Sequence, residues 1–337
     1  MTPHQQRIVE HLRAQAQAVS GTVIFTDGED ERVALAACDL AAHSAITPIL
    51  IGRRTVIRRW LPSVHDQHRL TILDLTDPGQ KQRVTEAWEA SGLGPTLSDW
   101  MSDPAYVGAV LVRQGFARGM VGGANAPTAA ILRAGLRVIG VDPARPFVSG
   151  AFGMILPTPL ANGLGVLTFG DAAVIPRPTA QQLAVIAMNT ASVAEQVFGM
   201  EPRVALLSFS TKGSAEHSDI GIVREAVAEL QARQVGFPYD GELQADAAIV
   251  PEVAIKKAPS STVAGQANVL IFPNLDAANI AYKLVQRVGG AVALGVILSG
   301  FNQPINDLSR GCSVEDVINI ATVTLLQAHR GTASHSA

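Results

Sequence analysis

The sequence predicts a doubly wound α/β protein of two lobes. Short β-rich apolar runs alternate with amphipathic helical stretches along the whole chain. Several of those runs are apolar at nearly every position, as buried parallel strands covered on both faces are. The 337 residues, 47% of them hydrophobic, are enough for two cores rather than one. Alternating β and α elements place ligands at the carboxyl ends of strands, and a crevice between lobes is the default site.

TVIFTD (22–27) reads as the first strand, and EDERVALAACDLAAHSA, after Gly28, as a helix. TPILIG (47–52) and RLTILDL (69–75) are the next two strands. GMVGG (119–123), RVIGV (137–141), GVLTF (165–169), RVALLSFS (203–210), NVLIFPN (268–274) and AVALGVIL (291–298) read as further buried strands, with Gly, Pro or Asn at their ends. A helix is expected from Thr179, where Gln182 three residues on completes a capping box. It lines up Leu183, Ile186, Thr190, Val193 and Val197 on one side. Another carries Val223, Ala226, Val227 and Leu230 at helical spacing. ARPFVSGAFG (144–153) is rich in turn formers and reads as a crossing between lobes, and SGFNQPIND (299–307) as a second one.

Composition excludes several functions. With 26 Lys and Arg against 29 Asp and Glu, the charge of −3 is too small for an electrostatic nucleic-acid binder. Three Trp and three Tyr make a poor base-stacking surface. Two cysteines, Cys38 and Cys312, are too few for a disulfide scaffold or a structural zinc site and suit a reducing compartment. Residues 1–17 lack the apolar stretch of a secretion signal, and the run from Ala291 to Leu298 falls far short of the roughly 20 residues of a membrane span. A cytoplasmic protein without membrane contact is therefore expected. No GxxxxGK[ST] or GxGxxG loop is present, since Asn162-Gly163-Leu164-Gly165 does not continue into the dinucleotide fingerprint. His65 and His68 are better read as loop residues than as metal ligands.

The segment Asn306–Asp316 concentrates chemistry. It holds Ser309, Arg310, Cys312 and carboxylates in a turn that leads into a helix with Val314, Val317, Ile318, Ala321 and Leu325 on one face. A helix N-terminus after a Gly-bearing turn attracts anions, and Arg310 can hold a phosphate through two parallel hydrogen bonds. Ser313 and Asp316 also have the spacing of a capping pair. The residues alone leave both readings open.

NDLSRGCSVED (306–316), preceded by DGELQADAAIVPEVAIKKAP (240–259) and VLIFPNLDAANIAYKLVQRVGGA (269–291), closely resembles the phosphate acetyltransferases, the family that includes the phosphate butyryltransferases. GEDERV (28–33) and FGDAAVIPRPTAQQLAVIA (169–187) extend the resemblance over nearly the whole chain. It implies two doubly wound three-layer αβα domains with an interdomain cleft, one of residues 1–147 plus 300–337 and the other of 148–299, usually in a homodimer. It also implies reversible acyl transfer between coenzyme A and phosphate, with coenzyme A as substrate and no bound metal or cofactor. Acetyl-CoA and phosphate, or acetyl phosphate and CoA, are the partners. On this resemblance Asp316 takes the thiol proton, Ser309 hydrogen-bonds the developing oxyanion and Arg310 binds the phosphoryl group. Arg133 matches a second family arginine that contacts substrate in the same cleft, Arg32 and Arg287 match positions that hold CoA phosphates, Lys257 is a further substrate-binding candidate, and Cys312 is a small residue beside the site.

Departures from the family pattern lie in the first half. A family arginine falls at Ala87 or Trp88, and Arg118, Ala126, Pro127 and Ala130 replace an acid, a histidine, a threonine and an aspartate. Arg118 or Arg113 would have to compensate. Two alternatives therefore stand beside the acetyl enzyme: a butyryl-type enzyme, and a non-catalytic module that senses CoA or acyl phosphate.

Overall fold

The computed structural model describes residues 1–61, 69–94 and 101–333, with backbone alone from 330. His65, His68 and the end of the 85–97 segment lie outside the described residues. In chain order the elements begin with α1 (Pro3–Val19), β1 (Gly21–Phe25), α2 (Glu31–His43), β2 (Ile46–Ile51), α3 (Arg54–Ile57), β3 (Thr71–Leu73), α4 (Pro78–Ala90) and α5 (Pro104–Arg113). β4 (Gly119–Gly122) and α6 (Thr128–Ala134) follow, and α6 runs into a π-helical turn, Gly135–Ile139. Then come β5 (Ser149–Ile155), β6 (Val166–Gly170), α7 (Ala180–Phe198), β7 (Val204–Leu207), α8 (Ser218–Ala232), β8 (Tyr239–Leu243), α9 (Ala245–Ile249) and α10 (Pro251–Lys257). The last are β9 (Val269–Ile271), α11 (Leu275–Arg287), β10 (Val292–Ser299), β11 (Ile305–Asp307) and α12 (Val314–Ala333).

The architecture is mixed α/β, in two compact units. The terminal unit comprises Val9–Asp142 and the residues from Phe301 onward. Its sheet has the order β11-β4-β1-β2-β3 with every pairing parallel. Chain direction across the sheet reverses between β1 and β4, the switch point beyond which open α/β sheets take ligands. Helices cover both faces. A Cβ on Gly108 of α5 would meet Met120 and Ile24, whereas a Cβ on Gly21 or Gly119 would fall 2.8 Å from Leu325 or 2.6 Å from Thr324, both on α12. Asp30, Asp77 and Asp103 cap α2, α4 and α5 through their carboxylates, and Pro78 and Pro104 open two of these helices.

The central unit comprises Met1–Ile8 and Pro143–Gly300. Its sheet runs β10-β5-β6-β9-β7-β8, antiparallel across β10, β5 and β6 and parallel beyond. Thr179 and Gln182 form the capping box that the sequence predicts for α7. Residues 1–8 lie with this unit rather than with 9–142, because Gln5 Nε2 donates to the carbonyls of Ile155 and Gly290 and Thr2 donates to Pro157 O.

Three segments depart from the sequence reading. RVIGV is no strand: Ile131, Ala134, Gly135, Val138 and Ile139 recur at helical spacing, so the run continues α6 and ends at Gly140 (φ +76°). ARPFVSGAFG is loop only as far as Val148, just past the division between units at Asp142 and Pro143; from Ser149 it is β5, which is buried throughout. Its small residues permit close packing, since a Cβ on Gly153 would fall 2.1 Å from the Phe198 ring. AVALGVIL forms β10, but as an antiparallel edge strand that is only partly buried.

Candidate functional site

The site-bearing segment starts where β11 ends. Leu308 is buried and donates to Gly122 O at 2.7 Å, which anchors the chain to the carboxyl end of β4. Ser309, Arg310 and Gly311 then turn outward and are exposed, and Cys312 returns to the interior. Cys312 N donates to Ser309 O at 2.9 Å, the closing bond of a four-residue turn, and Gly311 N donates to Ser309 Oγ at 3.2 Å. Ser313 and Asp316 form a reciprocal cap on α12. Asp316 Oδ2 accepts from Ser313 N at 2.9 Å and Oγ at 2.8 Å, while Asp316 N donates to Ser313 Oγ at 3.2 Å. The amides of Gly311, Cys312, Ser313 and Asp316 are therefore spent internally, and the helix start draws less on free N–H groups than its sequence predicts. Asp316 itself stays exposed, and no hydrogen bond from the described residues engages its Oδ1. The Arg310 side chain makes no hydrogen bond or ion pair with any described residue.

Beneath the turn lies Arg32, near the start of α2. Its Nε and Nη2 donate to the two Asp30 oxygens at 3.0 and 2.9 Å, and Nη2 also reaches Ala124 O at 3.2 Å. Nη1 donates to Arg310 O at 2.7 Å and Cys312 O at 3.0 Å. The guanidinium beside Asp30 holds that carboxyl below the usual carboxylate range. Burial pushes the Cys312 thiol up, which disfavours the thiolate a nucleophile needs.

Two more acids, neither of them singled out by sequence, shape this end of the sheet. Asp27, just past β1, accepts from the amides of Gly123, Asn125 and Ala126 at 2.8, 3.2 and 3.3 Å. Asp307, 2% exposed, accepts from the Thr128 hydroxyl at 2.6 Å through Oδ2, while its buried Oδ1 has no hydrogen-bond partner among the described residues. Gly123 (φ +98°) makes room for it, since a Cβ there would fall 2.1 Å from Oδ1. The only sequence signals for these groups were the acids of TDGED (26–30) and the ND that precedes Leu308.

Burial pushes the Asp307 carboxyl up to about 6. It holds its proton more tightly folded than unfolded, so this group stabilises the fold fully below the ordinary carboxyl range near 4. That contribution is lost as pH rises through about 6. Asp307→Asn keeps an acceptor for Thr128 without the charge. It should raise stability at pH 7 by on the order of 1–2 kcal/mol and flatten the pH dependence between about 4 and 6. Thermal melts at pH 4 and 7 test this, and equal midpoint shifts at both would refute it.

The structure thus gathers Ser309, Arg310, Cys312, Asp316 and Arg32 around one turn. Arg133 is exposed on α6, whose first residue, Thr128, is tied to β11 through Asp307. Lys257 and Arg287 belong to the central unit. Lys257 Nζ already pairs with Asp246 and Gln244, each at 2.9 Å, whereas Arg287 ends α11 exposed and without a partner among the described residues. Among the described residues no group of three or more His, Cys, Asp or Glu is arranged to hold a metal.

The departures also acquire places. Ala87 and Trp88 are buried in the hydrophobic core of the terminal unit, so an arginine there would lose its hydration. Neither proposed compensator reaches the turn. Arg118 enters β4 at its amino end, with its N–H on Thr22 O, and Arg113 Nη1 is held by Val138 O at 2.6 Å.

A family model described as phosphate acetyl/butaryl transferase matches residues 7–325. A phosphate acetyltransferase of Clostridium acetobutylicum is 40% identical over 330 residues, which cover 96% of this chain and 99% of that protein. One of Treponema pallidum is 50% identical over 232 residues, 68% of this chain and 69% of that protein. The crystal structure of a phosphotransacetylase from Streptococcus pyogenes superposes with a TM-score of 0.85 at 39% identity, covering 98% of this chain and 100% of that one.

Proposed function

Because the chain belongs to the phosphate acetyl/butaryl transferase family, we propose that it carries out its acyl transfer on the Ser309–Asp316 turn. It is an acyltransferase that exchanges an acetyl group between coenzyme A and inorganic phosphate. The observation that carries the site assignment is Arg310. It is a guanidinium with no partner among the described residues, on a turn where the amides of Gly311, Cys312, Ser313 and Asp316 are bonded internally, and beside an exposed hydroxyl and an exposed carboxylate.

In the direction of thioester formation the CoA sulfur attacks the carbonyl carbon of acetyl phosphate. A C–S bond forms, the C–O bond to phosphate breaks, and the thiol proton passes to Asp316 Oδ1. Ser309 Oγ donates to the carbonyl oxygen as negative charge builds on it, and Arg310 neutralises the departing phosphate. Acyl phosphates already carry a good leaving group, so orientation and charge neutralisation supply most of the rate enhancement. Arg133 and Arg287, both free of intramolecular partners among the described residues, suit contacts to CoA phosphates. Lys257 would have to exchange Asp246 for such a phosphate.

Thioester formation, followed by absorbance with acetyl and butyryl phosphate in parallel, tests the reading. Acetyl phosphate is expected to be the better substrate. CoA binding without turnover of either would overturn the assignment.

Two further points belong to this reading. A homodimer is supported by Ile280 and Leu284 on α11 and Val288 at its C-cap, a stripe at spacing four whose members are 56–82% exposed. Light scattering tests it. No helix among the described residues is long and apolar enough to cross a membrane. The free thiols Cys38 and Cys312 suit a cytoplasmic setting.

A further inference from the structure

We propose that Arg32 is a positioning residue for this reaction: seated on Asp30, its guanidinium holds the carbonyls of Arg310, Cys312 and Ala124, and so fixes how the turn presents Ser309 and Arg310 to the acyl phosphate. This rests on the assignment of the turn as the acyl-transfer site. It departs from the CoA-binding role that the family resemblance implies for this position.

A guanidinium has five N–H donors in a planar fork. In Arg32 all five are taken: Nε by Asp30 Oδ1, one Nη2 hydrogen by Asp30 Oδ2 and the other by Ala124 O, and the two Nη1 hydrogens by Arg310 O and Cys312 O. A CoA phosphate oxygen could be held only by breaking one of these bonds. The side chain is 29% exposed and that of Asp30 11%, so the pair is partly withdrawn from water. Asp30 neutralises Arg32, which leaves Arg310 as the uncompensated cation above it.

The carbonyls matter because they belong to the reacting turn itself. Ser309 O is already taken by Cys312 N, and with Arg310 O and Cys312 O held from below, the peptide planes on either side of Gly311 cannot rotate freely. Gly311, which has no Cβ, would otherwise give this turn the widest choice of conformations. The Ala124 contact extends the clamp. That carbonyl lies in the loop whose amides Asp27 holds and which leads to Thr128 and α6, the helix that carries Arg133. One guanidinium therefore registers two arginine-bearing segments against each other.

The test compares Arg32→Lys, Arg32→Ala and Asp30→Asn in the full chain by steady-state kinetics, with CoA affinity from calorimetry. A lysine keeps the charge that a CoA phosphate needs, but its single ammonium cannot span three carbonyls and a carboxylate. Under this proposal Arg32→Lys lowers kcat about tenfold or more and raises KM for acetyl phosphate, while Kd for CoA changes less than about twofold. Arg32→Ala is more severe in the same direction. Asp30→Asn, which touches no substrate, reproduces the pattern more weakly. An Arg32→Lys enzyme with normal kcat, or an Arg32→Ala enzyme whose main defect is a Kd for CoA raised tenfold or more, would overturn it. So would loss of melting temperature with no split between kcat and KM for CoA. Arg310→Ala, run in parallel, separates the two levels. If it stays active, the turn is not the site; if it is inactive while Arg32→Lys is normal, only the positioning role fails.

Discussion

Arg310→Ala should slow acetyl-CoA formation from acetyl phosphate by on the order of 10³-fold, with kcat/KM for acetyl phosphate hit hardest. The size of the effect follows from what else could hold the anion. At most helix starts several free amides share that work. Here the amides of Gly311 and Cys312 are bonded to Ser309, and those of Ser313 and Asp316 to each other's side chains. Arg32 is saturated as well. The amides of Arg310, Val314 and Glu315, which make no hydrogen bond among the described residues, can donate to an anion but carry no net charge, so charge neutralisation of the phosphoryl group rests on one side chain. Arg310→Lys should recover only part of the loss, because a point charge cannot donate two parallel hydrogen bonds to one phosphate. A rate within tenfold of the parent enzyme would mean that phosphate binds elsewhere. The melting temperature should barely move, since the side chain is exposed and makes no intramolecular bond among the described residues.

Asp316→Asn should cost roughly 10²–10³-fold in kcat for thioester formation, the usual contribution of a positioned general base. The substitution is informative because Asp316 has two possible occupations. Its Oδ2 caps the helix, and an asparagine carbonyl can still accept from Ser313, so the fold should survive. Ser313→Ala makes the opposite cut. It removes the cap partner at a cost of about 1 kcal/mol in stability and should leave kcat within about threefold. If instead the two variants behave alike, losing stability together with similar modest losses of rate, Asp316 is a capping residue and the thiol proton leaves by another route.

How far the sequence carried depends on the kind of residue. Strands with covered faces were legible because burial on both sides makes them apolar throughout: Val23–Phe25, Leu50–Ile51 and Val204–Leu207 all lie in the core. β5 was hidden because its packing against Phe198 demands the small residues that also make turns. The π-helical turn was hidden because two adjacent apolar residues, Val138 and Ile139, look alike in a strand and at the end of a helix. In the site, Ser309, Arg310 and Asp316 could be read because their chemistry is exposed and adjacent in sequence. The supports were not. Asp27 holds amides 96 or more residues away, the Thr128 hydroxyl reaches the Asp307 carboxylate across 179 residues, and Asp30 acts through its neighbour Arg32, whose bond to Ala124 O spans 92; nothing in local patterning reports a partner at that distance. The missing family arginine became intelligible only when Ala87 and Trp88 proved to be core residues.

The terminal sheet is completed by β11, which pairs with β4 but is synthesised after the whole of the central unit. A growing polypeptide therefore leaves β4 as a bare sheet border until the whole central unit has been made, with its ladder groups open to other nascent chains. The same delay means that the Gly119 surface waits for α12, which follows β11 in the chain. A product cut short before β11 would lose the Ser309–Asp316 turn together with the stitch that seals the sheet, so ribosomes stalled there should yield aggregation-prone chains.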